Sequence, residues 1–241
     1  MDLVSIIVVN FNGNKWLKPC MEALSGQTYG DIEVIVVDNG STDGSVEELK
    51  KGFPSVSVLE NEANAGFAQA VNQGIEATTG QYVVPLNPDV VLTPSYVSEM
   101  VETANIGPKV GSVSGKLLRS DEKNSKIIDS VGHLMFKNRL SANRGDEEVD
   151  RGQYEVLEPV FGTCGAAALY KRGMLEDIKI GGEYFDETFF AFWEDVDLDW
   201  RANLMGWTCL YTPRALAYHY RGGLCLGRGP EFASDRFHRR V

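Results

Sequence analysis

The sequence predicts an α/β domain built on a mixed, mostly parallel sheet flanked by helices. Three observations carry that expectation. Short, β-branched, nearly continuous apolar runs recur at residues 4–9 and 82–86, as in strands buried on both faces. Segments with helical spacing separate them, which implies right-handed βαβ crossovers. Polar clusters follow three of the strands directly, where ligands bind in such sheets.

The elements follow in order. Residues 4–9 form the first strand, and helical spacing runs from Lys15 to Leu24. Ile32 to Val37 is a second strand. It ends in the turn chemistry Asp38-Asn39-Gly40-Ser41-Thr42-Asp43-Gly44, where Ser41 or Thr42 can cap a helix over 43–51. Val56 to Leu59 is the third strand, residues 65–78 a helix, and Tyr82 to Leu86 the fourth strand. Beyond it, 110–118 and 160–170 read as strands. The charged, turn-rich stretch 119–156 between them reads as a mobile surface excursion. No repeat or linker divides the chain, so one domain over 1–241 is the simplest account, with halves at 1–109 and 110–241.

Composition narrows the function classes. A net charge of −11 over 241 residues argues against nucleic acid as a partner, which needs a basic face. The charge is uneven: Arg214, Arg221, Arg228, Arg236, Arg239 and Arg240 outweigh Glu231 and Asp235, so the last 28 residues carry +4 and the first 213 carry −15. A basic C-terminus on an acidic body is either a solubilising end or a contact for phosphates and anionic membrane. Cys20, Cys164, Cys209 and Cys225 are scattered, which suits a reducing compartment and neither a disulfide framework nor a zinc site. With no leader-like N-terminus and no long apolar span, the expectation is a cytoplasmic protein.

The densest chemistry lies in Phe192-Trp193-Glu194-Asp195-Val196-Asp197-Leu198-Asp199-Trp200-Arg201, where four carboxylates fall within six residues. Val196, Trp200 and Leu204 recur every four residues and define an inward face, and Gly206 stops the helix. Glu194 and Asp195 then sit at the helix N-terminus, where the dipole and free N–H groups keep a carboxylate ionised, as a general base requires.

Other clusters each allow two readings. Asp38, with Asn39, closes the second strand and either accepts bonds from a nucleobase or ribose or forms an Asx-turn. Gly66 and Asn72 in the segment 64–72 are ligand candidates, while Ala68 and Ala70 suit helix–sheet packing. Asn87 precedes Pro88 and is pushed toward an extended conformation, which aims Asp89 into the crevice. A single carboxylate with open positions suits Mg²⁺ or Mn²⁺ under a substrate diphosphate. Residues 161–168, with Thr163 and Gly165, form a small-residue strand or loop that either presents N–H groups to a sugar or packs on a helix. His219 is a packed core residue, or a metal ligand if the fold returns it beside Asp89. Arg221, and with it Arg228, could then neutralise a diphosphate.

Taken in order, these clusters resemble the family 2 glycosyltransferases of the GT-A, Rossmann-like fold. The series is residues 4–12, then 36–45, then 64–72, then Leu86-Asn87-Pro88-Asp89, then 181–201 and a late histidine. Leu86-Asn87-Pro88-Asp89 combined with residues 194–201 looks most like the rhamnosyltransferase-type branch, which builds surface polysaccharides, often from dTDP-L-rhamnose. The resemblance implies a nucleotide-diphosphate sugar donor and a saccharide or lipid-linked acceptor; the basic C-terminus alone suggests a peripheral place at the inner membrane face. The resemblance also implies that Asp38 contacts the base, that Asn10 and Asn12 line the nucleotide pocket, and that residues 1–109 bind the nucleotide sugar. Asp89 and His219 would hold Mg²⁺ or Mn²⁺, with Asn87 at a position where the family carries an aspartate. Asp195, beside Glu194, would be the catalytic base of a single inverting displacement, and Trp193 would face the acceptor. Relatives of this type often continue past a point such as Val241, and a further tail could carry an oligomer contact.

Two rivals fit less well. A sugar nucleotidyltransferase wants a glycine-rich phosphate loop after strand one, and Asn10-Phe11-Asn12-Gly13-Asn14 is a poor version of it. A nucleotide-sugar-binding assembly partner without catalysis would be expected to have lost Asp89, Asp195 or His219. A nicotinamide dehydrogenase lacks its G-x-G-x-x-G.

Overall fold

A computed structural model describes residues 2–120 and 126–221. Strand β1 (Val4–Asn10) leads through helix α1 (Asn14–Ser25) to β2 (Ile32–Asp38), and α2 (Ser45–Gly52) leads to β3 (Ser57–Glu60). Helix α3 (Phe67–Glu76) precedes β4 (Tyr82–Leu86), followed by β5 (Val90–Leu92) and α4 (Tyr96–Ala104). The second half holds β6 (Val110–Arg119), β7 (Ile128–Ser130), β8 (His133–Met135), β9 (Ser141–Asn143), β10 (Glu158–Val160) and β11 (Leu169–Lys171). It ends with α5 (Arg172–Asp177), a 3-10 turn at Glu187–Phe189, α6 (Glu194–Leu204) and β12 (Thr208–His219).

The main sheet runs β10-β12-β6-β11-β4-β1-β2-β3, with β5 and β7 added on β12 and β6. The pairs β1–β2, β1–β4, β2–β3 and β6–β12 are parallel, and β11 sits antiparallel between β4 and β6. Strand pleating splits the apolar runs between two cores. Val4, Ile6 and Val8 pack toward α1 and α4, while Ile7 and Val9 pack toward α3, α5 and α6. Helix α3 lies close on β1 because Gly74 has no Cβ; one there would stand 2.3 Å from Ile7 Cγ2.

Three expectations change. Helix α2 starts at Ser45 behind Gly44 in the left-handed region, with no side-chain cap. Ser41 instead turns its hydroxyl to Asp38, and Thr42 donates its N–H to Asn12. The expected strand 160–170 is two short strands, β10 and β11, because the small residues between them serve the site as loop backbone. The stretch 119–156 is no surface excursion throughout. Ile128, Asp129, Ser130, Val131 and His133 are buried, and β8 pairs with β9.

Among the described residues no helix is long and apolar enough to cross a membrane. Of the six C-terminal arginines, Arg214 pairs with Glu99 and Glu102 on α4 and Arg221 with Asp129. Arg228, Arg236, Arg239, Arg240 and Cys225 lie outside the described residues.

Candidate active site

The carboxyl ends of β1, β2 and β4 come together as the sheet pattern requires, with Asn10 and Asp38 direct register partners. The turns after β1 and β2 are laced to each other. Asn10 donates to Asp38 (2.7 Å) and Ser45 (2.9 Å), Asn12 N–H donates to Ser41 (2.8 Å), and Asn14 N–H donates to Asp43 (2.8 Å). Asp38 also accepts from Ser41 N–H and hydroxyl, so the Asx-type turn is present. Asn10 is fully buried, and Asp38 nearly so. Asn10 therefore braces the two turns through its NH₂ group, while its buried Oδ1 has no hydrogen-bond partner. Asn12, at φ +51°, is only half-buried, as are Asn14, Ser41 and Asp43.

Gly66 and Asn72 are structural at closer range than expected. A Cβ on Gly66, which has φ +92°, would stand 2.6 Å from Phe190 O. The Asn72 amide accepts from Phe185 N–H (2.9 Å) and donates to Phe185 C=O (2.8 Å), with a further bond to Glu187. It clamps the 185–187 segment onto α3 and commits both of its N–H hydrogens there.

The Asn87-Pro88-Asp89 turn is pinned by Asn87 N–H to Ala166 C=O at 3.0 Å. Pairing of β5 with β12 sets Val90 opposite His219, and this returns the late histidine to the turn. His219 Nε2 stands 3.4 Å from Asp89 Oδ1, and its Nδ1 bonds Asp129 Oδ2 at 2.8 Å. Burial alone would lower the imidazole pKa, but the carboxylates of Asp129 and Asp89 outweigh it and raise it to about 10. Asp129 is in turn held below the usual carboxylate range, against its burial, by His219 and Arg221. A buried carboxylate and an imidazole oriented by a second carboxylate fit a hard divalent cation such as Mn²⁺.

The second cluster is built around α6, with its buried face rotated from the expected one. Glu194, Leu198, Asp199 and Ala202 are buried, whereas Trp200 is 37% and Leu204 73% exposed. Trp200 packs across Phe161 at the surface, with ring centroids 5.9 Å apart. Carboxylates take the inward positions because the 162–165 loop supplies donors. Thr163 N–H bonds Asp199 (3.0 Å), and Gly165 N–H bonds Asp195 (2.9 Å), which also accepts from Val196 N–H. Thr163 and Gly165 are both buried, so they hold the acids and do not face an acceptor. Trp193 is exposed and enters α6 from φ +73°.

Glu194 departs from the expectation of an ionised acid. Burial and the neighbouring Asp195 push its pKa to about 8, and its Oε2 has no hydrogen-bond partner. Asp199 is pushed to about 7 by burial, against the pull of His133.

His133 had no place in the sequence reading. It is buried, with Nδ1 2.8 Å from Asp199 Oδ2 and Nε2 3.7 Å from Asp195 Oδ2, and its N–H bonds Gly162 C=O. Burial opposes its charge, yet Asp195 and Asp199 hold its pKa well above the ordinary value. Gly162 is obligatory beneath it: a Cβ there would fall 1.7 Å from Asp199 Oδ2. The available signal was the apolar Ile127, Ile128 and Val131 just ahead of it, inside an otherwise polar stretch.

The fold is that of the GT-A glycosyltransferases. The chain superposes on GalNAc-T7 bound to UDP, GalNAc and Mn²⁺ with a TM-score of 0.74 at 15% identity, over 91% of this chain and 44% of that one. Against the Pyrobaculum calidifontis mannosyltransferase PcManGT in complex with GDP-Man and Mn²⁺, the TM-score is 0.65 at 20% identity, over 92% of this chain and 59% of the other. Residues 5–179 match the glycosyl transferase family 2 domain, and the chain belongs to that family. The match stops short of α6 and His219, so the assignment does not depend on them. The N-acetylglucosaminyl-diphospho-decaprenol L-rhamnosyltransferase of Mycobacterium tuberculosis is 27% identical over 95% of this chain and 79% of its own length. The poly-beta-1,6-N-acetyl-D-glucosamine synthase of Staphylococcus epidermidis is 24% identical over 89% of this chain, which spans 49% of that enzyme.

Proposed function

We propose that this chain is an inverting glycosyltransferase that moves a sugar from a nucleotide-diphosphate donor to a saccharide or lipid-linked saccharide in surface-polysaccharide synthesis. The observation that carries the reading is the continuity of the two clusters. Asn87, two residues before Asp89, bonds Ala166, and the adjacent Gly165 bonds Asp195. One loop thus ties the diphosphate end of the crevice to a carboxylate at the start of α6. The resemblance to the mycobacterial L-rhamnosyltransferase favours an L-rhamnosyl donor, with dTDP as the nucleotide first to be tested.

In this mechanism Asn12 and the remaining lone pair of Asp38 Oδ2 meet the nucleoside. Asp89 and His219 would hold Mn²⁺ or Mg²⁺, whose charge would there offset that of a diphosphate leaving group. Arg221, at the same end and already paired with Asp129, adds a fixed positive charge. Asp195 takes the acceptor hydroxyl proton as that oxygen attacks the anomeric carbon from the face opposite the diphosphate. His133 positions Asp195: its imidazole, locked by Asp199, fixes where the carboxylate lies. Trp193, exposed beside the base, offers an apolar platform for the acceptor sugar. A single displacement inverts the anomeric centre, and no second carboxylate is needed as nucleophile.

Calorimetric titration of dTDP, UDP and GDP, with and without Mn²⁺, tests the donor half on wild type and Asp89→Ala. Metal-dependent binding of one nucleotide, lost in the variant, supports it; no binding of any nucleotide overturns it. The anomeric configuration of the product, read by NMR coupling constants, tests inversion.

A further inference from the structure

His133, Cys164 and Asp195 stand together in a way the transfer reaction does not require. One ligand atom from each, the imidazole nitrogen, the thiol sulfur and a carboxylate oxygen, all lie within 4.8 Å of one another. A tetrahedral zinc centre with ordinary bond lengths puts such donors roughly 3.3–3.6 Å apart. His133 Nε2 and Asp195 Oδ2 are already 3.7 Å apart, so closing on a cation needs only small side-chain shifts.

The surroundings have the form of a metal site's outer shell. Asp199 holds His133 Nδ1 at 2.8 Å, which points Nε2 at Asp195 and Cys164. Gly165 N–H fixes Asp195 at 2.9 Å, and Cys164 lies between Thr163 and Gly165, whose N–H groups are both committed to α6 carboxylates. Asp199 and Gly165 N–H therefore hold His133 and Asp195 in place beforehand, and a cation would bind by displacing protons from the imidazole and the thiol. A thiolate and an imidazole select zinc-like cations and disfavour Mg²⁺ and Mn²⁺, which take oxygen donors. The cluster is thus chemically distinct from the Asp89–His219 pair.

We propose that His133, Cys164 and Asp195 form a second cation site, for Zn²⁺ or a cation of similar softness, whose occupation withdraws the Asp195 carboxylate from the acceptor and switches transfer off. The inhibitory half rests on the reading of Asp195 as the base, whereas the binding half does not.

The test is Co²⁺ titration, with excess Mg²⁺ present to occupy the hard-cation pair, read by near-ultraviolet absorption. A thiolate-to-cobalt charge-transfer band is expected in wild type and in Cys225→Ser and absent in Cys164→Ser. Asp199→Asn, which loosens His133, should weaken Co²⁺ binding about 10- to 100-fold. Zn²⁺ should displace Co²⁺ and erase the band. No band in wild type, or an equal band in Cys164→Ser, overturns the proposal whatever the enzyme's activity. If the band behaves as expected while Zn²⁺-loaded enzyme transfers sugar at the full rate, the site stands and its inhibitory role is overturned.

Discussion

The two halves of this molecule are built by different means. From β1 to α4 the order is local: parallel strands, crossover helices and apolar periods that repeat every few residues. From β6 onward the important contacts span long stretches of chain, His133 to Asp199 over 66 residues and His219 to Asp129 over 90. The first half makes a stable floor whose strand ends face one crevice. The second half lays charged groups over that floor, each held by one or two specific bonds. Substitutions should therefore separate the halves: those in the first should cost stability with little effect on chemistry, and those in the second should cost function whether or not they cost stability.

Gly162→Ala is the sharpest test, because the second half has a position where a single methyl group cannot fit. The added Cβ would fall 1.7 Å from Asp199 Oδ2, and both backbone and carboxylate are committed there. Expelling Asp199 should lower stability by about 3 kcal/mol and abolish transfer, measured by urea denaturation and donor turnover. Gly107→Ala in the connection before β6, with only Val110 Cγ2 at 3.8 Å, should be close to neutral in both assays. Equal behaviour of the two would erase the contrast.

Asp195→Asn comes next and should affect chemistry far more than stability. The amide oxygen can keep Gly165 N–H but not also Val196 N–H, so the melting temperature should fall only by the loss of about one hydrogen bond. Loss of the base should lower kcat by roughly 10²- to 10⁴-fold, with nucleotide affinity unchanged by calorimetry. A variant that keeps its kcat would remove Asp195 from the base role.

The same division explains what was legible in the sequence. Strand β4 was placed to the residue and β1, β2 and β6 to within one, because buried strands and turn residues announce themselves locally. The polar ends Asn10, Asp38 and Asn87 were located for the same reason. The face of α6 was misjudged because the spacing of Val196, Trp200 and Leu204 counts only apolar residues. The face that is buried carries Glu194 and Asp199, which burial alone would reject. What admits Asp199 is His133 and a loop N–H, and neither is written near it in the chain. His133 was missed on the same grounds, since its meaning lies in partners 62 and 66 residues away.

Asn72→Ala breaks the comparison from the other side, at a first-half residue that serves the second half. Its removal leaves Phe185 N–H and C=O buried without their partner, at about 1–3 kcal/mol. Nucleotide binding should be little changed, since the amide does not face the crevice. An affinity loss without a stability loss would restore Asn72 to the donor pocket.

The smallest expected effect lies at the opposite end of the sheet. Glu33, the register partner of Ser5, accepts from the Ser5 hydroxyl (2.6 Å), Thr79 N–H (3.0 Å) and Gly80 N–H (3.1 Å). Burial opposes ionisation, but these bonds win and hold its pKa below the ordinary 4.5. A depressed folded-state pKa contributes stability that is fully present above the unfolded value and disappears as pH falls through the folded one. The melting temperature of wild type should therefore exceed that of Glu33→Gln at neutral pH, and the gap should close as pH drops below about 4.5. The side chain is partly exposed, so the gap should be the smallest in this series. Because Glu33 joins β1, β2 and the start of β4 far from α6, transfer measured at neutral pH should be indifferent to the substitution. A coupled loss of activity would mean that the floor and the charged layer above it are not separable.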